Sequence, residues 1–266
     1  MHLQMDASLA EGFTSASQRA RVTTEAWAAA NLYCVACEGD HLRPEPTNSK
    51  VVDFVCEQCS AEFQLKSQSH PFGRKVVDSG YEAMCRAIRS DRAPNLVLLH
   101  YDRLAWQVLN ALIIPSFGFT LAAIEKREPL SPTARRAGWV GCNILLTQIP
   151  EELRLPIISD RLAGPPTSVR KQFRRMSALR QFNPKSRGWL IDVLSVIHSL
   201  KSSEFGLQDV YEQRELLSSL HPDNRNVEAK IRQQLQKLRD LGLIAFGERG
   251  RYRLKGSGLS LSEGKS

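Results

Sequence analysis

The stretch DFVCEQCSAEFQLKS, residues 53–67, contains two overlapping patterns that decide the fold of the N-terminal part of the chain. The first is a pair of cysteines, Cys56 and Cys59, which repeats an earlier pair, Cys34 and Cys37, after eighteen intervening residues. Two such turns can surround one ion with four thiolates, whereas a disulfide interpretation would require an oxidising compartment. The spacing therefore predicts one closed Zn²⁺ site, which would support the fold rather than take part in catalysis.

The second pattern is an acid, Asp53, followed by Gln64 and Lys66. Side chains two apart on a strand share one face, so Gln64 and Lys66 are expected to point the same way. Asp53 and Gln64 offer the oxygen ligands that Mg²⁺ prefers, and Lys66 offers a positive charge beside a scissile phosphate. This is the pattern of the PD-(D/E)xK nucleases and predicts a Mg²⁺-dependent centre. The alternative is that these are ordinary solvated residues at strand ends.

The charge of the chain indicates a polyanionic partner. There are 36 Lys and Arg against 28 Asp and Glu, a net charge of +8 and a pI near 9.3, although a merely basic protein is the alternative. Eight positive charges and no acid lie between residues 161 and 187: Arg161, Arg170, Lys171, Arg174, Arg175, Arg180, Lys185 and Arg187. We therefore predict that residues 162–185 form a connecting basic arm that contacts phosphates.

The expected compartment is the cytoplasm. The first twenty residues include Asp6 and Glu11 and have no apolar core, so they do not resemble a secretory signal. Residues 104–124 carry no charge but are interrupted by Pro115 and several polar residues. We interpret them as a buried strand, a turn and the start of a helix rather than a membrane span, and expect no membrane partner.

Helical and strand patterns alternate through the N-terminal part. Residues 17–33 predict a helix that leads into the first cysteine pair, and residues 80–90 predict a second helix. The run NLVLLHY at residues 95–101 follows a proline and is typical of a short buried strand. The alternation predicts a mixed α/β domain.

From residue 186 the pattern becomes that of a small helical domain. Apolar spacing predicts helices over residues 188–200, over 207–220 and from Asn226 to Gly242, and residues 243–254 predict a hairpin. Three helices and a basic hairpin are the order of a winged helix. Its expected DNA-contacting residues, on the third helix and the hairpin, are Lys230, Arg232, Gln233, Lys237, Arg249 and Arg251. The alternative is an ordinary solvated helix face.

Taken together, these segments resemble the DpnI-type restriction endonucleases, which cut DNA at GATC when the adenine is N6-methylated. The segments that carry the resemblance are TEAW at 24–27, YCxxC from Tyr33, DFxCxxCS from Asp53, LKS from Leu65, PTARRAGWVGCN at 132–143, SRGW from Ser186, SEF from Ser203, IRQQLQ from Ile231 and RGRY from Arg249. The resemblance covers about residues 17–254. It implies a PD-(D/E)xK domain with structural zinc and a C-terminal winged helix, both of which recognise the methylated site.

The resemblance also implies roles for individual residues. It assigns catalysis to Asp53, Gln64 and Lys66 and zinc binding to the four cysteines, and it implies Mg²⁺ and cleavage of both strands. The second metal ligand of the family is an acid, and Gln64 departs from that pattern. The departure concerns the rate and the metal preference more than the fold.

A basic loop beside a tryptophan offers a further contact with DNA. Arg135 and Arg136 can grip phosphate or guanine while the ring of Trp139 contacts the methyl group of adenine. The alternative interpretation places Trp139 in the core, where this residue type is usually well buried.

The predicted fold class is α/β (α+β): a PD-(D/E)xK restriction-endonuclease-like domain with a four-cysteine zinc site over residues 1–185, a small winged helix over 186–255 and a flexible tail over 256–266. The predicted function is that of a type II restriction endonuclease that acts, as a monomer, on adenine-methylated double-stranded DNA. The alternative is a zinc-stabilised winged-helix regulator or methyl-DNA reader with a degenerate nuclease centre.

Overall fold

The structure is a computed structural model that describes residues 1–46 and 52–255, apart from the side chain of Arg249. The tail predicted for residues 256–266 lies outside the described residues. The helices are α1 (Ala16–Asn31), α2 (Tyr81–Arg89), α3 (Pro166–Ser177), α4 (Pro184–Ser199), α5 (Leu207–Tyr211), α6 (Arg214–Leu220) and α7 (Val227–Asp240). The strands are β1 (Arg43–Pro44), β2 (Phe54–Val55), β3 (Glu62–Gln68), β4 (Lys75–Gly80), β5 (Asn95–Asp102), β6 (Gln107–Ile114), β7 (Ile124–Lys126), β8 (Gly141–Leu145), β9 (Leu155–Ser159), β10 (Leu162–Ala163), β11 (Glu204–Gly206), β12 (Ile244–Phe246) and β13 (Arg251–Leu254).

The N-terminal part is built on a mixed sheet with the order β1-β2-β3-β5-β6-β9-β10. Strands β3 and β5 run parallel, and the connection between them contains β4 and α2, whereas the other neighbours are antiparallel. The mixed α/β fold predicted from the sequence is confirmed. A second sheet, β4-β8-β7, includes the strand that lies between β3 and α2 in the chain.

Strand β5 is the centre of the core because every side chain from Asn95 to Tyr101 is buried. Its continuous apolar run is what a strand covered on both faces requires. The buried side of α2 consists of Met84, Cys85 and Ile88. The strand predicted over residues 95–101 and the helix predicted over 80–90 are therefore confirmed to within a residue or two.

The helix start predicted for the last part of residues 104–124 is wrong. Strand β6 is present, but two short 3-10 helices, Ser116–Gly118 and Leu121–Ala123, follow it and lead into β7. Pro115 supplies no backbone N–H, and the Asn95 side chain accepts the N–H of Ser116 at 3.0 Å. The Ser116 N–H is thus hydrogen-bonded by a side chain of the neighbouring strand β5 rather than by a carbonyl of a helical turn.

The predicted connecting arm over residues 162–185 is wrong too, because most of it folds onto the core. Helix α3 begins at a proline suited to the first helical turn and buries Val169, Phe173 and Met176. Phe173 meets Phe117 edge to face, with ring centroids 5.4 Å apart. The apolar residues on one side of this segment recur at helical spacing. Burial of that side holds the helix on the core, while the charged residues on the opposite side can stay in solvent.

The C-terminal part has the predicted order of helices followed by a hairpin. Helix α7 buries Ile231, Leu235 and Leu238 along one side, and Gly242 follows the helix with a left-handed φ of 68°. The helix predicted over residues 207–220 is divided into α5 and α6. The Gln213 N–H bonds to the Val210 carbonyl, a tighter contact between residues three apart that interrupts the helical ladder.

Polar contacts join α4 to the N-terminal part. Arg187 pairs with Asp91, and the Ser195 hydroxyl donates to the Gln148 carbonyl at 2.9 Å. Farther along the same helix, His198 Nε2 lies 2.8 Å from Glu152 Oε2. Burial by itself would lower the pKa of His198, but the hydrogen bond and the charge of Glu152 outweigh it and raise the pKa above its usual value.

This pair predicts a pH-dependent contribution to stability. Because the pKa of His198 is raised on folding, the stabilisation is fully present below the unfolded value, about 6.5, and is lost as pH rises through the folded value. The difference in unfolding free energy between wild type and His198→Asn should be largest at pH 5.5 and shrink towards pH 8.5 in urea titrations. A difference that stays constant with pH would contradict this assignment.

Candidate functional site

The four predicted zinc ligands come together at one point. The Sγ atoms of Cys34 and Cys59 lie 3.6 Å apart, those of Cys37 and Cys56 lie 3.5 Å apart, and all four lie within 4.8 Å of one another. A tetrahedral ion with Zn–S bonds of about 2.3 Å requires sulfurs roughly 3.8 Å apart. The geometry and the all-thiolate donor set therefore fit Zn²⁺, and the four-cysteine cluster predicted from the spacing is confirmed.

Backbone N–H groups favour the thiolate form of Cys56, whereas burial raises the pKa of the Cys34 and Cys59 thiols. The N–H of Gly39 approaches Cys37 Sγ at 3.3 Å, and a Cβ at Gly39 would lie only 3.1 Å from Cys56 Sγ. Partial burial would raise the pKa of Cys56, but the backbone N–H groups of Cys59 and Gln58 lower it to about 7. A thiolate that the backbone already stabilises is ready to bind a cation.

One arginine of the basic segment is part of this cluster rather than of a DNA surface. Arg170, on α3, is almost fully buried and donates to the carbonyls of Cys34 at 3.0 Å and Gly39 at 2.9 Å. Its guanidinium also lies 5.2 Å from the ring centroid of Tyr33. Arg187, buried against Asp91, is a second exception. Desolvated, paired guanidinium groups are not available to phosphates, so these two residues correct the expectation for the segment.

Asp53 lies where β2 and β3 separate. Its N–H donates to the Phe63 carbonyl at 2.9 Å, and its Oδ2 accepts the N–H of Leu65 at 2.7 Å. The carboxylate therefore occupies the place of a backbone acceptor at the end of the ladder. Burial raises the pKa of Asp53, although the Leu65 N–H and the charges of Lys66 and Arg21 oppose the rise.

Gln64 and Lys66 lie on β3 beside this carboxylate. The pairing of Phe54 with Phe63 places Asp53 opposite Gln64 in the antiparallel register. Gln64 is only 7% exposed. The Lys66 ammonium lies 3.1 Å from Asp78 Oδ1. The structure thus brings the three predicted catalytic residues to one place on the sheet.

Sequence reasoning missed three charged residues of this neighbourhood. Arg21 and Glu25, an ion pair on α1 at 3.5 Å, line a cavity of about 440 Å³ together with Asp53. Burial and the charge of Asp53 raise the pKa of Glu25, against the pull of Arg21. The third is Asp78 on β4. The one sequence signal for Asp78 is its position two residues after Val76, which is buried. Residues two apart on a strand share a face, so Asp78 belongs to the buried face of β4.

The loop that contains Arg135, Arg136 and Trp139 lies against the second sheet. Both arginines are exposed, and the guanidinium of Arg136 lies 4.7 Å from the ring centroid of Trp139. The indole is half-buried. A Cβ at Gly141 would come within 2.9 Å of its ring, so the absence of a side chain there lets the indole lie down on the strand.

We predict that Gly141→Ala displaces this indole. A new methyl group at 2.9 Å from Cη2 and Cζ3 overlaps a rigid ring, and such overpacking costs about 1–3 kcal/mol. Urea unfolding should show that loss, whereas Gly73→Ala, which meets no atom within 4 Å, should leave stability nearly unchanged. Equal stability of the two variants would show that the loop accommodates the methyl without cost.

The predicted DNA-contacting residues of α7 fall into two groups. Arg232 and Gln233 are exposed, and Arg232 also donates to the Tyr211 hydroxyl. Lys230 and Lys237 are half-buried on the flank, where Lys237 lies 4.8 Å from the Phe182 ring centroid. The exposed face suits contacts with base edges, whereas the flank suits phosphates. Gln234, which the sequence pattern did not single out, is fully buried.

The wing is a hairpin of β12 and β13, with β11 on the other side of β13. Arg251 is exposed on it, and its Nη2 lies 3.3 Å from the Glu204 carbonyl. Arg253 pairs with the Glu204 carboxylate, so part of the wing's positive charge is neutralised. The side chain of Arg249, a predicted contact, lies outside the described residues.

An α/β domain with a four-cysteine cluster, followed by a helix-turn-helix domain with a basic wing, defines a protein that acts on DNA. A family model described as the Dam-replacing family (DpnI) matches residues 1–182, and one described as the Dam-replacing HTH domain (DpnI_C) matches residues 185–254. The chain therefore belongs to the Dam-replacing family, and the resemblance found in its sequence is confirmed. Membership makes it a methyl-directed restriction endonuclease with a DNA-binding helix-turn-helix domain. None of the described helices is both long and apolar enough to cross a bilayer.

Proposed function

We propose that the chain is a type II restriction endonuclease that cuts double-stranded DNA at GATC sites containing N6-methyladenine, by Mg²⁺-dependent hydrolysis at a PD-(D/E)xK centre. The observation that carries the proposal is the position of the Asp53 carboxylate. It accepts the N–H of Leu65 at 2.7 Å, and Leu65 is the residue between Gln64 and Lys66 on β3. An acid, an oxygen donor and a lysine at the junction of two strands are what this chemistry requires.

The residues at this site fit a hard divalent cation. Asp53 and Gln64 both present oxygen atoms, and the pKa of Asp53 is raised because burial leaves its charge incompletely compensated. The amide oxygen of the buried Gln64 is a second possible ligand. When bound, Mg²⁺ would neutralise charge on the phosphoryl group and lower the pKa of a coordinated water.

Lys66 completes the proposed centre. Its side chain is 29% exposed, so its ammonium is accessible from the site while Asp78 holds it from behind. A cation at that position orients a water or hydroxide for attack and stabilises the negative charge that develops on phosphorus-bound oxygens. Zn²⁺ at the four cysteines would have a structural role, since four thiolates leave no open position.

The proposed contacts with DNA come from both parts of the chain. Arg135 and Arg136 would grip phosphate or guanine, and Trp139 would contact the methyl group of adenine. Arg232, Gln233, Arg249 and Arg251 would reach the duplex from α7 and the wing, with Lys230 and Lys237 on its phosphates. We further propose a nuclease domain over residues 1–185, a winged helix over 186–255, a tail beyond it, a monomeric state and a cytoplasmic location.

The decisive experiment uses one plasmid prepared with and without adenine methylation at GATC, incubated with Mg²⁺ or with EDTA. Cutting of the methylated plasmid alone, only with Mg²⁺, and only at GATC supports the substrate, the target sequence and the metal requirement of the proposal. Cutting of both plasmids removes the methylation requirement, and cutting elsewhere removes the site. Tight binding to methylated DNA without any cutting would favour the alternative, a reader with a degenerate centre, to which the neutral Gln64 points.

Gln64→Glu tests whether the amide weakens metal binding. A second negative charge beside Asp53 should strengthen Mg²⁺ binding, so the Mg²⁺ concentration for half-maximal cleavage should fall by about tenfold, a gain of roughly 1.4 kcal/mol. Gln68→Glu, which adds the same charge farther along that face of β3, should leave this concentration unchanged. An unaltered Mg²⁺ dependence in Gln64→Glu would remove residue 64 from the set of ligands.

A further inference from the structure

A buried carboxylate stands directly behind the lysine of the proposed centre. The side chain of Asp78 is 0% exposed, and its Oδ1 lies 3.1 Å from Lys66 Nζ. Within the described part of the chain, that oxygen has no hydrogen-bond donor of good geometry. The other oxygen accepts a long contact of 3.4 Å from the Ser79 hydroxyl. The Lys66 ammonium is thus the main partner of a charge that has been removed from water.

The other ionisable groups near this pair do not offer Asp78 a second positive partner. The Cys142 thiol, on β8, lies near both residues, and burial raises its pKa to about 12, so it is neutral. Another basic residue of the same sheet, Lys75, is already engaged by Glu125 at 2.8 Å, and Arg127 is the other cation whose charge acts on Cys142. Asp78 therefore depends on Lys66, since a buried anion without a cation is strongly destabilising.

The pair also connects two sheets. Lys66 belongs to β3 of the seven-stranded sheet, whereas Asp78 belongs to β4 of the three-stranded sheet. Lysine is a flexible side chain with several rotatable bonds. Because the ion pair with Asp78 holds the Lys66 ammonium in place, the entropy cost of ordering it is met before the substrate binds.

We propose that Asp78 is a positioning residue that fixes the ammonium of Lys66 for its role in DNA cleavage, without itself touching DNA or metal. This inference rests on the proposed function for its catalytic consequence, but the coupling between the two residues does not depend on cleavage. It has a corollary for mutagenesis: removing Lys66 leaves Asp78 uncompensated and weakens the fold as well as the chemistry.

A double-mutant cycle on thermal unfolding tests the coupling. Lys66→Met keeps the apolar stem and should lower Tm by roughly 5 °C, as expected for a buried charge that loses its partner. Adding Asp78→Asn to Lys66→Met should restore more than half of that loss. Glu125→Gln, which breaks an exposed ion pair of the same sheet, should leave Tm nearly unchanged and serves as the control. Additive effects of Lys66→Met and Asp78→Asn would overturn the inference.

Cleavage kinetics test the positioning role. Asp78→Asn should lower the single-turnover rate on methylated plasmid at least tenfold while DNA affinity stays within about twofold, and in the Lys66→Met background it should cause no further loss. Wild-type cleavage by Asp78→Asn, or a loss confined to affinity, would overturn the inference. If the wild-type protein does not cut at all while the thermal coupling is present, the nuclease proposal fails and the pairing stands.

Discussion

Asp53→Asn is expected to reduce cleavage of methylated plasmid by at least about a thousandfold while the protein still folds and binds DNA. Asp53 is the one formally charged oxygen donor of the proposed metal site, because Gln64 is neutral. Metal activation of a phosphoryl group is worth several kcal/mol, and each 1.36 kcal/mol corresponds to a factor of ten in rate. The effect should therefore exceed that of any other single substitution at the site.

The choice of asparagine separates charge from structure. Its side-chain oxygen can still accept the Leu65 N–H that Asp53 accepts at 2.7 Å, so the junction of β2 and β3 is preserved. Glu57→Gln removes an equally negative but exposed side chain from the same hairpin and should cut at the wild-type rate. Gel-based cleavage and binding to the same methylated duplex give the two readouts. Substantial cleavage by Asp53→Asn would remove Asp53 from the catalytic set.

Removal of zinc is expected to unfold the N-terminal part of the chain. Structural Zn²⁺ contributes on the order of 10 kcal/mol to small domains, which is as large as the entire stability of a typical protein. Here the cysteine turns also hold β1 and β2 at the edge of the sheet and supply the carbonyls that bind Arg170 of α3. Loss of the ion should therefore release both the sheet edge and this helix.

The measurement is zinc content together with thermal unfolding. Wild-type protein should contain one Zn²⁺ per chain, and Cys56→Ser should lose it and unfold at least about 15 °C lower, if it can be purified. Cys85→Ala, which changes a buried cysteine outside the cluster, should retain the ion and lose only a few degrees. If wild-type protein from which zinc has been removed unfolds at the same temperature as the zinc-bound protein, the four cysteines support the fold without a metal.

Much of the architecture can be predicted from the sequence because its causes are local. The continuous apolar run from Asn95 to Tyr101 predicts a strand covered on both faces, and β5 is that strand. The stripe of Ile231, Leu235 and Leu238 predicts α7 in the same way. Regular spacing carries this information because a helix and a strand each repeat over a few residues.

Local patterns failed where a distant part of the chain decides the outcome. The charges of residues 162–185 suggest an exposed arm, yet Arg170 is buried because the carbonyls of Cys34 and Gly39 receive it. Lys230 and Lys237 lie on the same helix, α7, as the exposed Arg232 and Gln233, yet both lysines are half-buried. Lys237 lies over the Phe182 ring, a contact that the local sequence does not reveal.

The sequence by itself determined the mixed α/β and helix-turn-helix organisation, the four cysteines of one metal site and the residues of the proposed centre. Only the tertiary structure decided that Glu25 approaches Asp53 and that Asp78 stands behind Lys66. The physical reason is that ligand spacing and periodicity are properties of consecutive residues. The position of a charge beside another charge depends on which strands and helices pack together, and that is settled by the whole core.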